Sequence, residues 1–373
     1  MRWRAHFVVL SFVVLSACGS SDNGTSQSAP LTVTHSYNGT ASVGDFLTLS
    51  VDPTTLTITY TNRTNGDSGT LAYTVNSDGS YAITDPNGNL VTAYEVPGYA
   101  LVVQAQKAGP DHATPALIVA VESGPISLST FEGNTYNYMQ FRTAAGGLEA
   151  GSVAISTSGT GTDSSYWPFG ALTAINGGQS PYNSGSIPLS SATEGASGTY
   201  LTITDGSETS TAFGTANGMF LVDTPNGTIF GLQQAADKAF DPSVAGTYHA
   251  IYYSKANAST GTGNIEVGTP ALGSAVVTVT AEGAVTITDS SGTVMAQGTL
   301  AAVADTPYLY GGSPSLANPC YGLFTFQTAH GAVTQDVFVS FLNQTVMFSS
   351  FSAQLPSVAD ETYSYFYGVG LTQ

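Results

Sequence analysis

The chain has 373 residues, with 7 Lys+Arg against 25 Asp+Glu, a formal charge of −18 and only 9% charged residues, where globular proteins average about 25%. That balance excludes nucleic acid as a partner, because phosphates demand Lys and Arg to displace their counterions. Two cysteines exclude a disulfide-dense scaffold and a cysteine-rich zinc centre, and a mean hydropathy of +0.10 with no apolar run of about 18 residues excludes a helical membrane protein.

The first element in the chain is an export signal over residues 1–17. Arg2 and Arg4 make a basic start, Phe7 to Leu15 is apolar except for Ser11, and Ser16 and Ala17 form a small-residue exit. That order describes a secretory signal peptide, and its apolar core is too short to span a bilayer as a helix. The exit reads Leu15-Ser16-Ala17-Cys18 and resembles the lipobox of bacterial lipoprotein precursors. The resemblance covers the first 18 or 19 residues only. It implies cleavage between Ala17 and Cys18, a diacylglyceryl group on Cys18 with acyl chains such as palmitate, and a membrane partner reached through that lipid. Gly19 stands where an Asp would retain an enteric-type lipoprotein at the inner membrane, so the implied address is the outer membrane. The alternative is an ordinary secreted protein with a chance cysteine at its cleavage point. Two acyl chains suffice for stable anchoring, at about 0.8 kcal/mol per buried methylene. Without the signal the chain keeps 5 basic and 25 acidic residues, a formal charge of −20. Residues 18–30 carry the lipid site and a Ser/Asn/Gly/Thr/Gln tether whose root-mean-square reach is about 20 Å.

From residue 31 strand signals dominate and the predicted class is all-β. Thr55 to Tyr60 alternates Thr with Leu56, Ile58 and Tyr60, which places the apolar set on one face. Gly66-Asp67-Ser68-Gly69 resembles the segment around the nucleophile of chymotrypsin-like serine proteases, but only His35 precedes it in the exported chain. A serine nucleophile needs a positioned base and a group to orient that base. Between two alternating strands the same residues read as a hairpin turn. Asn76–Gly79, Asp85–Asn89 and Asp223–Gly227 place oxygen donors in tight loops, which gives Ca2+ weak support as a cofactor. Asp, Asn and Gly are also the ordinary residues of turns.

Recurrent motifs suggest three diverged antiparallel units, 31–130, 131–240 and 241–373, built as small sandwiches or barrels and conceivably stacked edge to edge. Ile-Thr-Asp closes a strand at Ile83–Asp85, Ile203–Asp205 and Ile287–Asp289. Thr-Tyr recurs at Tyr136, Tyr248 and Tyr363, and GGLEAG at Gly146–Gly151 parallels GNIEVG at Gly263–Gly268. Apolar strands precede at Leu117–Val121, Met219–Val222 and Val337–Phe341. Val277–Thr280 and Val285–Thr288 form a hairpin about an Ala-Glu-Gly turn, and Gly231–Ala239 is the one segment with a helical look.

Candidate sites are few. Tyr166, Trp167 and Phe169 follow a Ser/Gly/Thr-rich stretch and include the only Trp of the exported chain, so they are candidates for a protein or glycan contact, or else core residues at the end of a loop. His35, His112, His249 and His330 fit no local zinc spacing, and Cys320 reads as a small buried hydrophobe. No metal ligand set and no catalytic constellation is assigned. The reading is a lipid-anchored envelope β protein acting as a binding or structural module. The alternatives are an envelope hydrolase with a site assembled from distant loops, and a β-barrel holding a small apolar ligand.

Overall fold

The computed structural model describes residues 33–373 apart from 86–87, 109–113, 142–148, 157–160, 167–181, 188–192, 196, 206–207, 226, 260–263, 304–319, 331–332 and 353–361. The first unit is an up-and-down meander of β1 (His35–Ala41), β2 (Asp45–Asp52), β3 (Thr57–Asn62), β4 (Ser68–Val75), β5 (Tyr81–Thr84), β6 (Leu90–Val96), β7 (Ala100–Ala108) and β8 (Thr114–Glu122). It closes into a barrel when β1 pairs with β8, from Tyr37↔Glu122 to Ala41↔Ile118. The interior follows from alternation: Leu47, Leu49 and Val51 on β2, Val91 and Ala93 on β6, and Leu101 and Val103 on β7 all turn inward. These side chains, with Tyr37, Tyr73, Tyr81 and Ile118, fill the barrel.

β7 and β8 depart from alternation. Ala100–Val103 and Ala116–Val121 are buried at every position, as a continuous apolar run requires when both faces of a strand are covered. Leu101 and Ile118 face the barrel interior, while Val102, Leu117 and Val119 face the neighbouring units.

The second unit comprises β9 (Thr135–Phe141), β10 (Glu149–Ile155), β11 (Gly161–Tyr166), β12 (Tyr182–Ile187), β13 (Thr193–Glu194), β14 (Leu201–Asp205), β15 (Glu208–Gly214), β16 (Met219–Thr224) and β17 (Gly227–Gln233). The third comprises β18 (Gly246–Ser259), β19 (Asn264–Val279), β20 (Ala284–Asp289), β21 (Val294–Thr299), β22 (Ala301–Ala302), β23 (Leu323–His330), β24 (Val333–Leu342), β25 (Thr345–Ser352) and β26 (Thr362–Thr372). Both are nine-stranded antiparallel sheets in which the first strand pairs with the last, β9 with β17 and β18 with β26. In the third unit only Leu300 separates β21 from β22. One bent strand therefore bonds β20 with its first half and β23 with its second, and the Val303 N–H donates to Leu323 O at 3.0 Å beyond it. The all-β, three-unit antiparallel architecture expected from the sequence is the one observed.

The motif phase differs from the sequence reading. Thr135-Tyr136 and Thr247-Tyr248 open the first strands of their units, but Thr362-Tyr363 opens β26, a last strand. The first-strand equivalent in the first unit is Ser36-Tyr37, and Tyr37, Tyr136 and Tyr248 are all buried. Ile-Thr-Asp closes β5, β14 and β20, which are the fifth, sixth and third strands of their units. What it marks is local turn chemistry. Asp85 accepts from the Asn89 N–H at 2.7 Å, and Asp289 accepts from the Ser291 and Thr293 N–H groups, each at 2.9 Å.

The helix expected over Gly231–Ala239 is absent. Gly231–Gln233 completes β17, where Phe230 and Leu232 are buried and pair with β9. The remainder, Gln234–Ala239, is far below the dozen or so residues an unsupported helix needs. Helical geometry among the described residues is limited to single 3-10 turns, Leu128–Thr130 and Pro242–Val244, on the links between units.

The units meet through side-chain faces, and among the described residues no strand ladder crosses from one to another. One apolar cluster runs from Tyr94, Val102 and Val119 on the outside of the barrel, through Tyr136, Phe213 and Leu232, to Ile251, Tyr253 and Tyr367. Phe46 packs edge-on against Tyr200 at 5.1 Å, and Phe141 stacks on Tyr367 at 4.6 Å and 5°. At roughly 1.5–3 kcal/mol for each large side chain buried, this shared core makes the three units one body.

Candidate functional site

Among the described residues, polar groups meet at three places on the first barrel. Inside it, Glu95 follows Val91 and Ala93 on the inward face of β6 and is 6% exposed. A carboxylate there must be hydrogen-bonded, and two phenols supply the donors. Tyr37 from β1 donates to one oxygen and Tyr81 from β5 to the other. Tyr73 stacks on Tyr81 at 4.3 Å, and the Gly98 N–H donates to the Tyr37 hydroxyl at 3.1 Å. Burial first, then the Glu95 charge, push the Tyr37 and Tyr81 phenols far above the ordinary tyrosine value. They stay protonated donors across the physiological range. Gly98, at φ 68°, lets the β6–β7 turn lie against His35; a Cβ there would stand 3.3 Å from the ring and 3.5 Å from Glu122 Oε1.

The second place lies between the barrel and the second unit. The β1–β2 hairpin meets the β16–β17 hairpin so closely that a Cβ on Gly44, itself at φ 88°, would fall 2.6 Å from the Thr224 and Pro225 carbonyls. Beside it the Thr40 hydroxyl donates to Asp223 Oδ1 at 2.6 Å and lies 2.9 Å from the Thr228 hydroxyl. Burial raises the Asp223 carboxyl to about 7, opposed by the Thr40 hydrogen bond and helped by the Asp45 charge.

The third place joins the barrel to the third unit. Tyr94 packs on His249 with ring centroids 5.4 Å apart, and Tyr99 donates to Leu342 O at 3.1 Å. Burial pushes Asp78 up, but hydrogen bonds from Ser80 and the His249 charge outweigh it and hold the carboxyl below its usual range.

The residues singled out in the sequence fall elsewhere. Ala17, Cys18, Trp167 and Phe169 lie outside the described residues, as does the side chain of Tyr166 at the end of β11. Ser68 is the exposed first residue of β4, and Gly66, at φ 86°, closes the preceding turn through Gly66 N–H to Asn62 O. The Asn76–Gly79 and Asp85–Asn89 acids spend their oxygens on their own turns, Asp78 accepting from Ser80 and Asp85 from Asn89. Among the described residues no three His, Cys, Asp or Glu side chains come together as a metal group. Cys320 packs in the shared core. The Glu95 group was readable in part, since an acid in the inward register of Val91-x-Ala93-x-Glu95 is a signal. Thr40 and Asp223 are 183 residues apart, and nothing local connects them.

This geometry defines a class: a closed eight-stranded antiparallel barrel packed through its outer face on two nine-stranded antiparallel sheets, each with its first strand paired to its last. No protein-family model matches the chain, and no curated protein matches its sequence. Among solved structures it aligns with the isotype 1 transferrin binding protein B of serogroup B Neisseria meningitidis at 13% identity and a TM-score of 0.28, over 88% of this chain and 66% of that one. The intact Ap-TbpB of N and C lobes gives 11% identity and a TM-score of 0.24, covering 92% of this chain and 77% of that one. A double mutant of transferrin binding protein B from Haemophilus parasuis Hp5 gives 9% and 0.23, covering 88% and 66%. At such TM-scores the likeness carries no functional argument.

Proposed function

We propose that the chain is an outer-membrane lipoprotein, anchored through a diacylglyceryl group on Cys18, whose three fused β units act as a binding or structural module in the cell envelope. The observation that carries the reading is the continuous core from Val119 through Phe213 to Tyr367. A rigid body of that kind, following a tether of about a dozen residues, suits presentation of surfaces and loops to a protein or glycan. Tyr166, Trp167 and Phe169, at and after the end of β11, are the proposed contact. Among the described residues no nucleophile and base are seen together to favour the hydrolase alternative, and the ligand-barrel alternative meets a first barrel filled by its own side chains.

The test is fractionation of cells expressing the full precursor and its Cys18→Ser variant, with mass spectrometry of the mature N-terminal peptide. The wild-type chain should sediment with outer membranes bearing a diacylglyceryl Cys18, and the variant should be released. A Cys18→Ser chain that stays tightly membrane-bound would overturn the anchoring claim.

A further inference from the structure

Where the first barrel meets the second unit, four polar residues are sealed from solvent: Thr40, Asp45, Asp223 and Thr228 are 0%, 4%, 8% and 1% exposed. They come from four strands, β1, β2, β16 and β17, and the Thr40 hydroxyl links the two hairpins directly, donating to Asp223 and accepting from Thr228. Asp223 is opposed on β15 by Thr211 and on β17 by Thr228, neither of which titrates. Of the acids and bases on the packed strands, Asp45 is the one whose charge acts on it. His35 and Asp52 lie at the far ends of β1 and β2, Glu208 stands three positions from Thr211 on β15, and Arg63 is exposed on the turn after β3.

We propose that this junction is a proton-linked latch: with Asp223 protonated, the Thr40–Asp223–Thr228 group closes the seam, and ionisation of Asp223 beside Asp45 loosens it. The physical reason is that a second negative charge in a sealed seam meets both a desolvation cost and like-charge repulsion. Burial and the Asp45 charge hold the Asp223 carboxyl at about 7 in the folded chain, against roughly 4 in an unfolded one. Its stabilising contribution is therefore complete below about pH 4, declines as pH rises and is gone above about 7. Loosening is confined to the polar group, because Phe46 still packs on Tyr200 and Phe213 beside it.

The experiment compares the full-length chain with Asp223→Asn, which keeps a neutral hydrogen-bonding side chain, in denaturant titrations at pH 5.5 and 8.5. The ratio of folding constants, variant over wild type, should rise about thirtyfold between the two pH values, the linkage expected for a carboxyl held near 7. Groups whose titration is the same in both proteins cancel in that ratio. Amide exchange corrected for intrinsic rates should show, on top of the loss shared by the whole chain, an extra wild-type loss in β1 and β16 relative to β20. A ratio constant to within about threefold, or no extra loss of protection at the seam, overturns the proposal. If Asp223→Asn does not fold, Asp45→Asn serves instead. Removing the facing charge should move the wild-type pH dependence to lower pH, and an unmoved profile contradicts the latch.

Discussion

Replacing Tyr37 by Phe removes one atom from the first barrel and tests how its interior is held. The lost hydroxyl donates to Glu95 and accepts from the Gly98 N–H. Hydrogen bonds to charged groups contribute about 1.5–3 kcal/mol, and an orphaned buried donor costs about 1 more, so the expected loss is about 2–4 kcal/mol. Tyr81→Phe breaks the second Glu95 bond and the hydroxyl contact with Tyr73 and should lose about 1.5–3 kcal/mol. The decisive comparison is the double variant Tyr37→Phe/Glu95→Leu. With donor and acceptor both gone, no carboxylate is left short of a partner, and the double loss should fall below the sum of the singles by about 1 kcal/mol or more. Urea titrations followed by far-ultraviolet circular dichroism measure the wild type, Tyr37→Phe, Tyr81→Phe, Glu95→Leu and the double variant. Strict additivity, or a Tyr37→Phe loss under about 0.5 kcal/mol, would refute the clamp.

Alkaline behaviour follows from the same buried phenols. Burial pushes Tyr136 and Tyr248 up to about 12, with smaller opposing or supporting effects from Asn134 and Tyr99. Because these folded-state values lie above the unfolded value, their stabilising effect is complete below about pH 10 and is lost as pH rises beyond it. Phenolate absorbance should lag behind that of free tyrosine until unfolding, and a normal titration near 10 in the native chain contradicts the burial. Gly368 lies between β18 and β25, where a Cβ would meet the Phe348 ring at 2.5 Å and Ile251 O at 2.7 Å. The ring can turn but the backbone cannot, so Gly368→Ala should cost about 1–3 kcal/mol in a thermal melt, and an unchanged melt would deny that packing.

Much of the fold was legible because alternation survives wherever one face of a strand meets solvent, as in Thr57–Asn62 and Ala284–Asp289. It was less legible where both faces are covered. The Leu117–Val121 run announced a buried strand but not that Leu117 and Val119 would pack outside the barrel while Ile118 and Ala120 packed within. The repeat was recognised with its phase shifted, since Ile-Thr-Asp recurs for turn chemistry and Thr-Tyr appears on a last strand as well as on first strands. Glu95 could have been flagged from its register, whereas its partners Tyr37 and Tyr81 stand 58 and 14 residues away. The Tyr37 pairing depends on barrel closure, a long-range event with no local trace, whereas Tyr81 comes from the adjoining strand.

The central claim is that the closed first barrel and the two nine-stranded sheets share one core and behave as one body. Hydrogen exchange of the full-length chain across a denaturant series, read separately in β7, β16 and β26, tests it most directly. The shared core predicts that protection in all three is lost at a common denaturant concentration, and that Val119→Asp, on the barrel's outer face, lowers that concentration for all of them. Loss of protection in β16 or β26 while β7 remains fully protected, or a Val119→Asp effect confined to the first barrel, would show three independent domains instead.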